Sequence, residues 1–175
     1  MHDRLTIRDA APEDVAVVAE IYNASAPEGD PVLGEAPKRE ADVRRLIDGL
    51  GEREALVLLE HDDDVLGWGL VKRYSDRPGY RFCGEILIFV RPDQRRRGYG
   101  SCLKQALVER GNAFRYHHLL GRVWGSNAAG LAFHKAFGYE VVGIQRDIGY
   151  LDGRWEDVVV LQKVLDELGS VKRET

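Results

Sequence analysis

Three consecutive arginines and two glycines stand in the middle of RPDQRRRGYGSCLKQAL, Arg91 to Leu107, just before apolar residues begin to recur at helical spacing. A helix N-terminus presents unpaired backbone N–H groups and the positive end of the helix dipole. Glycine at Gly98 and Gly100 would let an anion reach those donors without striking a Cβ. Arg95, Arg96 and Arg97 would add charge-assisted partners, which is the chemistry of a pyrophosphate site. A solvated basic turn with one tight bend is the other reading of the same residues. Two familiar phosphate motifs are absent: there is no G-x-x-x-x-G-K-[ST], and the third glycine of the dinucleotide fingerprint is missing.

Two further side chains could move protons. Glu85 heads the otherwise apolar run GEILIFV, where burial would raise a carboxyl's pKa and make it a better base. A surface ion pair at a strand edge is the alternative. His134, within SNAAGLAFHKAFGYE, could serve as acid or base, although a lone helical histidine is usually a surface or capping residue. Asn127 starts the same helix and could simply cap it. Cys83 and Cys102 lack metal-ligand spacing and have no activating histidine close in sequence. Neither a metal nor a covalent acyl-enzyme is expected.

The elements that must position these groups can be read from periodicity. LTIRDA alternates as a strand, Pro12 opens a helix through VAVVAEIYNA, and a second helix runs from about Arg39 to Leu50. Between them, Ser25 to Glu40 is rich in proline and glycine and reads as a long loop over a binding site. ALVLLEHDDDVLGWGLVKRY is a hairpin, and Tyr80 to Val90 a third strand. A helix from about Gly98 to Phe114, the strand LLGRVWG, a short helix from Asn127 to Phe137 and two final strands complete the chain. The order is β-α-α-β-β-β-α-β-α-β-β, an α+β class with one βαβ-like crossover. A single domain over 1–168 with a polar tail over 169–175 is expected.

The 175 residues carry a net charge of −4, which argues against general nucleic-acid binding. No apolar run approaches the ~20 residues of a membrane span, and MHDRLTIRDA has no apolar core of a signal peptide. A cytoplasmic protein without membrane or nucleic-acid partners is the default expectation.

Arg95-x-x-Gly98-x-Gly100, after a strand ending near Val90, resembles the [QR]-x-x-G-x-[GA] motif of the GNAT N-acetyltransferase superfamily. SNAAGLAFHKAFGYE is similar to that family's second signature. GYLDGRWEDVVVLQKVL and IRDAAPEDVAVVAEIYN resemble its phosphinothricin and methionine sulfoximine branch. The resemblance spans about Leu5 to Leu165 and implies a central, mostly antiparallel mixed sheet flanked by about four helices.

It also implies roles. Arg95 to Ser101, Tyr99 included, would hold the pyrophosphate of acetyl-CoA, with Asn127 on the CoA arm. Ile88, Phe89 and Val90 would sit at a bulge whose free N–H groups serve the thioester carbonyl and the pantetheine arm. Glu85 matches the branch's base, and His134 stands where the branch carries a histidine instead of an acidic tyrosine. Tyr80, Cys83 and Tyr150 fall at acceptor positions, but with departures. The branch's Tyr-x-x-Thr-x-Glu reads Tyr80-x-x-Cys83-x-Glu85, and its Gly-[FY]-Lys reads Gly149-Tyr150-Leu151. The implied activity is direct acetyl transfer from acetyl-CoA to the primary amine of a small molecule, favouring an amino acid or analogue, by an enzyme expected to be a homodimer. Acetylation of protein N-termini or lysines, or a CoA-binding module without turnover, are the rival expectations.

Overall fold

The computed structural model describes residues 5–27, 29–34, 37–62 and 64–165. Its helices and strands are β1 (Leu5–Asp9), α1 (Val15–Ser25), α2 (Glu40–Asp48), β2 (Ala55–His61), β3 (Asp64–Arg73), β4 (Cys83–Val90), α3 (Tyr99–Ala113), β5 (His118–Trp124), α4 (Ala128–Ala136), β6 (Glu140–Leu151) and β7 (Arg154–Val164). The strands form one sheet in the order β1-β2-β3-β4-β5-β7-β6. Neighbours are antiparallel except β4 and β5, which α3 joins as a parallel crossover. The α+β class and its mixed sheet are as expected. The tail over 169–175 lies outside the described residues.

β2 reads as an unbroken apolar run because both faces of the sheet are covered. Leu56 and Leu58 join Val18, Ile21, Tyr22 and Trp68 under α1 and α2. Val57 and Leu59 point the other way, toward Leu103 and Leu107 of α3. Each such burial is worth about 1.5–3 kcal/mol, so the two layers hold the central strands rigidly.

Two local differences from the sequence reading have plain causes. The strand expected from Tyr80 begins only at Cys83, because Pro78 fixes φ and starts a 3-10 turn over Pro78–Tyr80. The Tyr80 N–H closes that turn on the Arg77 carbonyl at 3.0 Å. The second helix begins at Glu40, with Arg39 outside it donating its N–H to the Asp42 carboxylate at 2.9 Å.

The loop after α1 is folded against the body. The Asp30 carboxylate accepts the N–H groups of Val32 at 2.8 Å and Leu33 at 3.1 Å. The Tyr22 hydroxyl donates to the Gly34 carbonyl at 2.8 Å. No helix among the described residues is long and apolar enough to cross a membrane.

Candidate active site

The β4–β5 ladder runs through the pairs Cys83–His118, Gly84–Leu119 and Glu85–Leu120, and there it stops. β4 stays paired to β3 as far as Val90, and β5 stays paired to β7 as far as Trp124. The two parallel strands therefore part beyond Glu85, leaving a cleft of about 720 Å3 between them. On the facing edge of β4 the backbone groups of Ile88 have no strand to pair with, the Val90 carbonyl accepts the Ser25 hydroxyl at 2.9 Å, and Phe89 faces Trp68 on β3 instead. An extended arm can add there as a strand would. The bulge implied for this segment is corrected: the β3–β4 register runs from Gly67–Val90 to Arg73–Gly84 without a shift. Divergence of two strands, not a bulge, opens the edge.

At the mouth of the cleft, Pro92–Gln94 form a 3-10 turn, Arg96 takes φ 61°, and Gly98 takes φ 88° as the residue before α3. The left-handed φ of Gly98 lets the chain turn sharply into the helix. A Cβ on Gly98 would meet nothing within 4 Å, and one on Gly100 would meet Phe133 only at 3.6 Å. Gly98 thus leaves open space that the protein itself does not fill, whereas a Cβ on Gly100 would sit in ordinary contact with Phe133 and Val90. Ser101 is the first α3 residue whose N–H bonds back, to the Gly98 carbonyl at 2.9 Å, so the donors before it are available to an anion.

The three arginines are not equivalent. Arg95 donates to the Ser25 carbonyl at 2.8 Å and ties the turn to the loop. Arg96 lines the cleft and has no ion pair among the described residues. Arg97 is exposed, and neither it nor Tyr99, which packs into the core, is part of the cleft wall.

At the inner end lies Glu85, its side chain 1% exposed. The setting is not the apolar one expected. Arg122, two residues beyond Leu120 on β5, grips both carboxylate oxygens, Nε to Oε1 at 2.6 Å and Nη2 to Oε2 at 3.0 Å. Lys72, opposite Glu85 on β3, brings Nζ to 3.8 Å from Oε2. Arg122, 33% exposed, lines the cleft and stands between it and Glu85.

The model of the acetyltransferase (GNAT) family matches residues 16–139. The chain is a GNAT acetyltransferase. It is 31% identical to the L-methionine sulfoximine/L-methionine sulfone acetyltransferase of Pseudomonas paraeruginosa, covering 94% of this chain and 97% of that one. Identity to the phosphinothricin N-acetyltransferase of Alcaligenes faecalis is 28%, over 92% of this chain and 83% of that one. A phosphinothricin acetyltransferase from Sinorhizobium meliloti, solved in complex with acetyl-CoA, superposes with a TM-score of 0.87 at 28% identity, over 96% of this chain and 92% of that one. This GNAT acetyltransferase is acetyl-CoA-dependent, and the cleft fits the cofactor's two ends. Its anionic part suits the α3 turn, and its amide-bearing arm suits the open edge of β4.

The acetyltransferase holds His134 on the α4 wall, with Nδ1 3.0 Å from the Gly130 carbonyl. Nδ1 therefore carries a proton, and Nε2 is buried without a hydrogen-bond partner. Burial, and then the charge of Lys104, push the imidazole's pKa down to about 4, against the Gly130 bond. His134 is neutral at neutral pH, which favours a base over an acid, the two roles its type left open. Lys104 itself is fully buried, its Nζ 3.9 Å from the centre of the Tyr139 ring and without a hydrogen bond. Burial, helped by Lys163, pushes its pKa down to about 6. Asn127 caps α4, its side chain accepting the Gly130 N–H at 2.9 Å, and also lines the cleft.

Three expected acceptor residues do not reach the cleft wall. Tyr80 stays on the turn before β4, edge-on to Tyr74, and Tyr150 leans on Trp155 near the β6–β7 hairpin. Cys83 is buried with Sγ 3.9 Å from His118 Nδ1, a neighbour that sequence distance concealed. Burial, then Glu85, push that thiol up to about 11, so it is not a thiolate. The loop after α1 does line the cleft, through Ser25, Pro27, Gly29 and Asp30, and Trp124 donates to the Gly29 carbonyl at 3.3 Å. Arg122 was missed, although a lone charge in the apolar strand LLGRVWG was as clear a signal as Glu85 in its own. Among the described residues no cluster of three or more His, Cys, Asp or Glu is placed to hold a metal.

Proposed function

We propose that this acetyltransferase acetylates the primary amine of a free amino acid or a close analogue, of the type named for its relatives. What carries the reading is the pairing of an acid and a base group at the inner end of the cleft, Glu85 with Arg122. The loop after α1 lines the same cleft, with Trp124 donating to the Gly29 carbonyl at 3.3 Å, which suits a small acceptor. Acetyl-CoA supplies the activated thioester. The turn at Gly98–Ser101 with Arg96 binds its phosphates, and the β4 edge aligns its arm. Glu85 takes the proton that the acceptor amine must lose, since a lysine-type amine at pH 7 is protonated by about 3.4 pK units. His134, being neutral, orients α4 against β5 or relays a proton through Nε2.

Two finer readings go with this. The exposed apolar side chains Val141, Val142, Ile144, Ile148 and Trp155 on β6 and β7 suit a second copy of the chain, which would make the enzyme a homodimer. The free thiols of Cys83 and Cys102, and dependence on acetyl-CoA, suit the cytoplasm. The test of the main reading is thiol release from acetyl-CoA with a panel of amino acids, polyamines and short peptides. Turnover with peptides at rates above every amino acid overturns it.

A further inference from the structure

We propose that Arg122 holds the carboxylate of the acceptor, and that this docking frees Glu85 from its ion pair to take the amine proton. The inference rests on the amino-acid reading of the acceptor above. As the structure stands, Glu85 is an unready base. Both its oxygens are occupied by Arg122, and its side chain is 1% exposed, so an amine in the cleft meets the guanidinium first. Something has to move the guanidinium before the carboxylate can touch a substrate.

Charge and geometry point to another carboxylate. Arg122 and Lys72 bring two positive charges to the single carboxylate of Glu85. The other acid at this end is Asp30, whose Oδ1 is taken by the N–H groups of Val32 and Leu33, while burial pushes its carboxyl up from the ordinary value. The two cations thus face one carboxylate that is ion-paired and one that is already held by backbone N–H groups. Arg122 offers its fork: Nε and Nη2 are on Glu85, Nη1 has no hydrogen bond among the described residues, and the residue lines the cleft.

Exchanging one carboxylate for another on a guanidinium keeps the number of ion pairs constant, so the exchange is not opposed by a lost charge pair. Glu85 keeps Lys72 beside it, with Nζ 3.8 Å from Oε2. An α-carboxylate on Arg122 also sets the adjacent ammonium beside Glu85. One N–H bond of that ammonium then breaks, the proton passes to a Glu85 oxygen, and the lone pair left on nitrogen is the nucleophile. The acceptor thus switches on its own base, and an amine without a carboxylate leaves Glu85 locked.

The experiment compares initial rates of thiol release at saturating acetyl-CoA for L-methionine sulfone, its methyl ester and the matching amine without a carboxyl group. The ester's amine is the more acidic, which favours the ester and makes any preference for the acid conservative. The wild-type enzyme should prefer the free acid by about 100-fold or more in kcat/KM, as sites built around a charged group do. Arg122→Gln should bring the acid down to the ester's level, so that the ratio of their kcat/KM values collapses toward one. Equal falls for acid and ester in a folded Arg122→Gln protein would show a purely structural ion pair and overturn the proposal. Wild-type enzyme that uses acid and ester equally also overturns it, needs no variant, and leaves the amino-acid reading standing. Use of the carboxyl-free amine in preference to the acid overturns both.

Discussion

The imidazole of His134 lies directly on Gly121: a Cβ built on that glycine would stand 2.5 Å from Nε2 and 2.7 Å from Cδ2. Gly121 needs no side chain there because α4 uses the space. Gly121→Ala should therefore displace His134 and cost about 1–3 kcal/mol, the usual range for overpacking. Adding His134→Ala should recover most of that loss, because the clash partner is gone. Urea unfolding of the two single variants and the double variant measures the coupling. Additive losses would mean that the two residues do not compete for one space.

Gly98 offers a cleaner test of the anion site. Its φ of 88° makes any L-residue there strained, yet a methyl group at that position would meet no neighbouring atom within 4 Å. Gly98→Ala should cost about 1–2 kcal/mol of stability through the backbone alone. Gly98→Asp should cost a similar amount and in addition repel the phosphates of acetyl-CoA. Calorimetric titration with acetyl-CoA separates the effects, with Asp expected to weaken binding much more than Ala. Equal affinities for the two variants would remove the charge argument.

These two glycines mark what was legible in the sequence. The turn from Arg95 to Ser101 is a local device, so its residues lie together in the chain and their purpose can be read there. The order of elements was legible for the same reason, since strands and helices carry their own periods. Gly121, Arg122 and Lys104 act only through partners brought close by folding: His134 from α4, Glu85 from β4, Tyr139 from beyond α4. Lys104 did leave a trace, because it shares a helical face with Leu107 and Gly111, where a charge is unexpected. The parting of β4 from β5 left none, since both strands read as uniformly buried.

Lys104 makes stability depend on pH in a stated direction. Its folded pKa is about 6 against an ordinary 10.5, so the unfolded chain binds a proton between those values that the folded chain does not. Stability from this residue is full above 10.5 and is lost as pH falls toward 6. His134 adds the same sign over a lower window, from 6.5 down to about 4. Lys104→Met should thus stabilise the protein at pH 7 by roughly 2–4 kcal/mol, after allowing for the lost contact with the Tyr139 ring. It should also let the His134 pKa rise, since Lys104 is the second cause of its depression. Thermal unfolding from pH 6 to 10 and imidazole NMR titration read both effects. A Met variant with the wild-type slope of stability against pH would show that Lys104 is not deprotonated by folding.

Glu85 and His134 should separate in their rate–pH profiles. Glu85→Gln keeps size and one acceptor oxygen for Arg122 while removing basicity, so the fold and acetyl-CoA binding should persist. Turnover should fall by about 10²–10⁴-fold, the usual worth of a positioned base. That deficit should narrow as pH rises, because more of the acceptor amine is then neutral without help. His134 has its proton on Nδ1, bonded to Gly130, and a pKa pushed down to about 4. His134→Gln should therefore leave no missing ionisation near the ordinary histidine value, only a change in level. A wild-type inflection near pH 6.5 that vanishes in His134→Gln would overturn the neutral assignment. Wild-type kcat/KM at pH 7 in Glu85→Gln would instead pass the role of base to the unpaired Nε2 of His134.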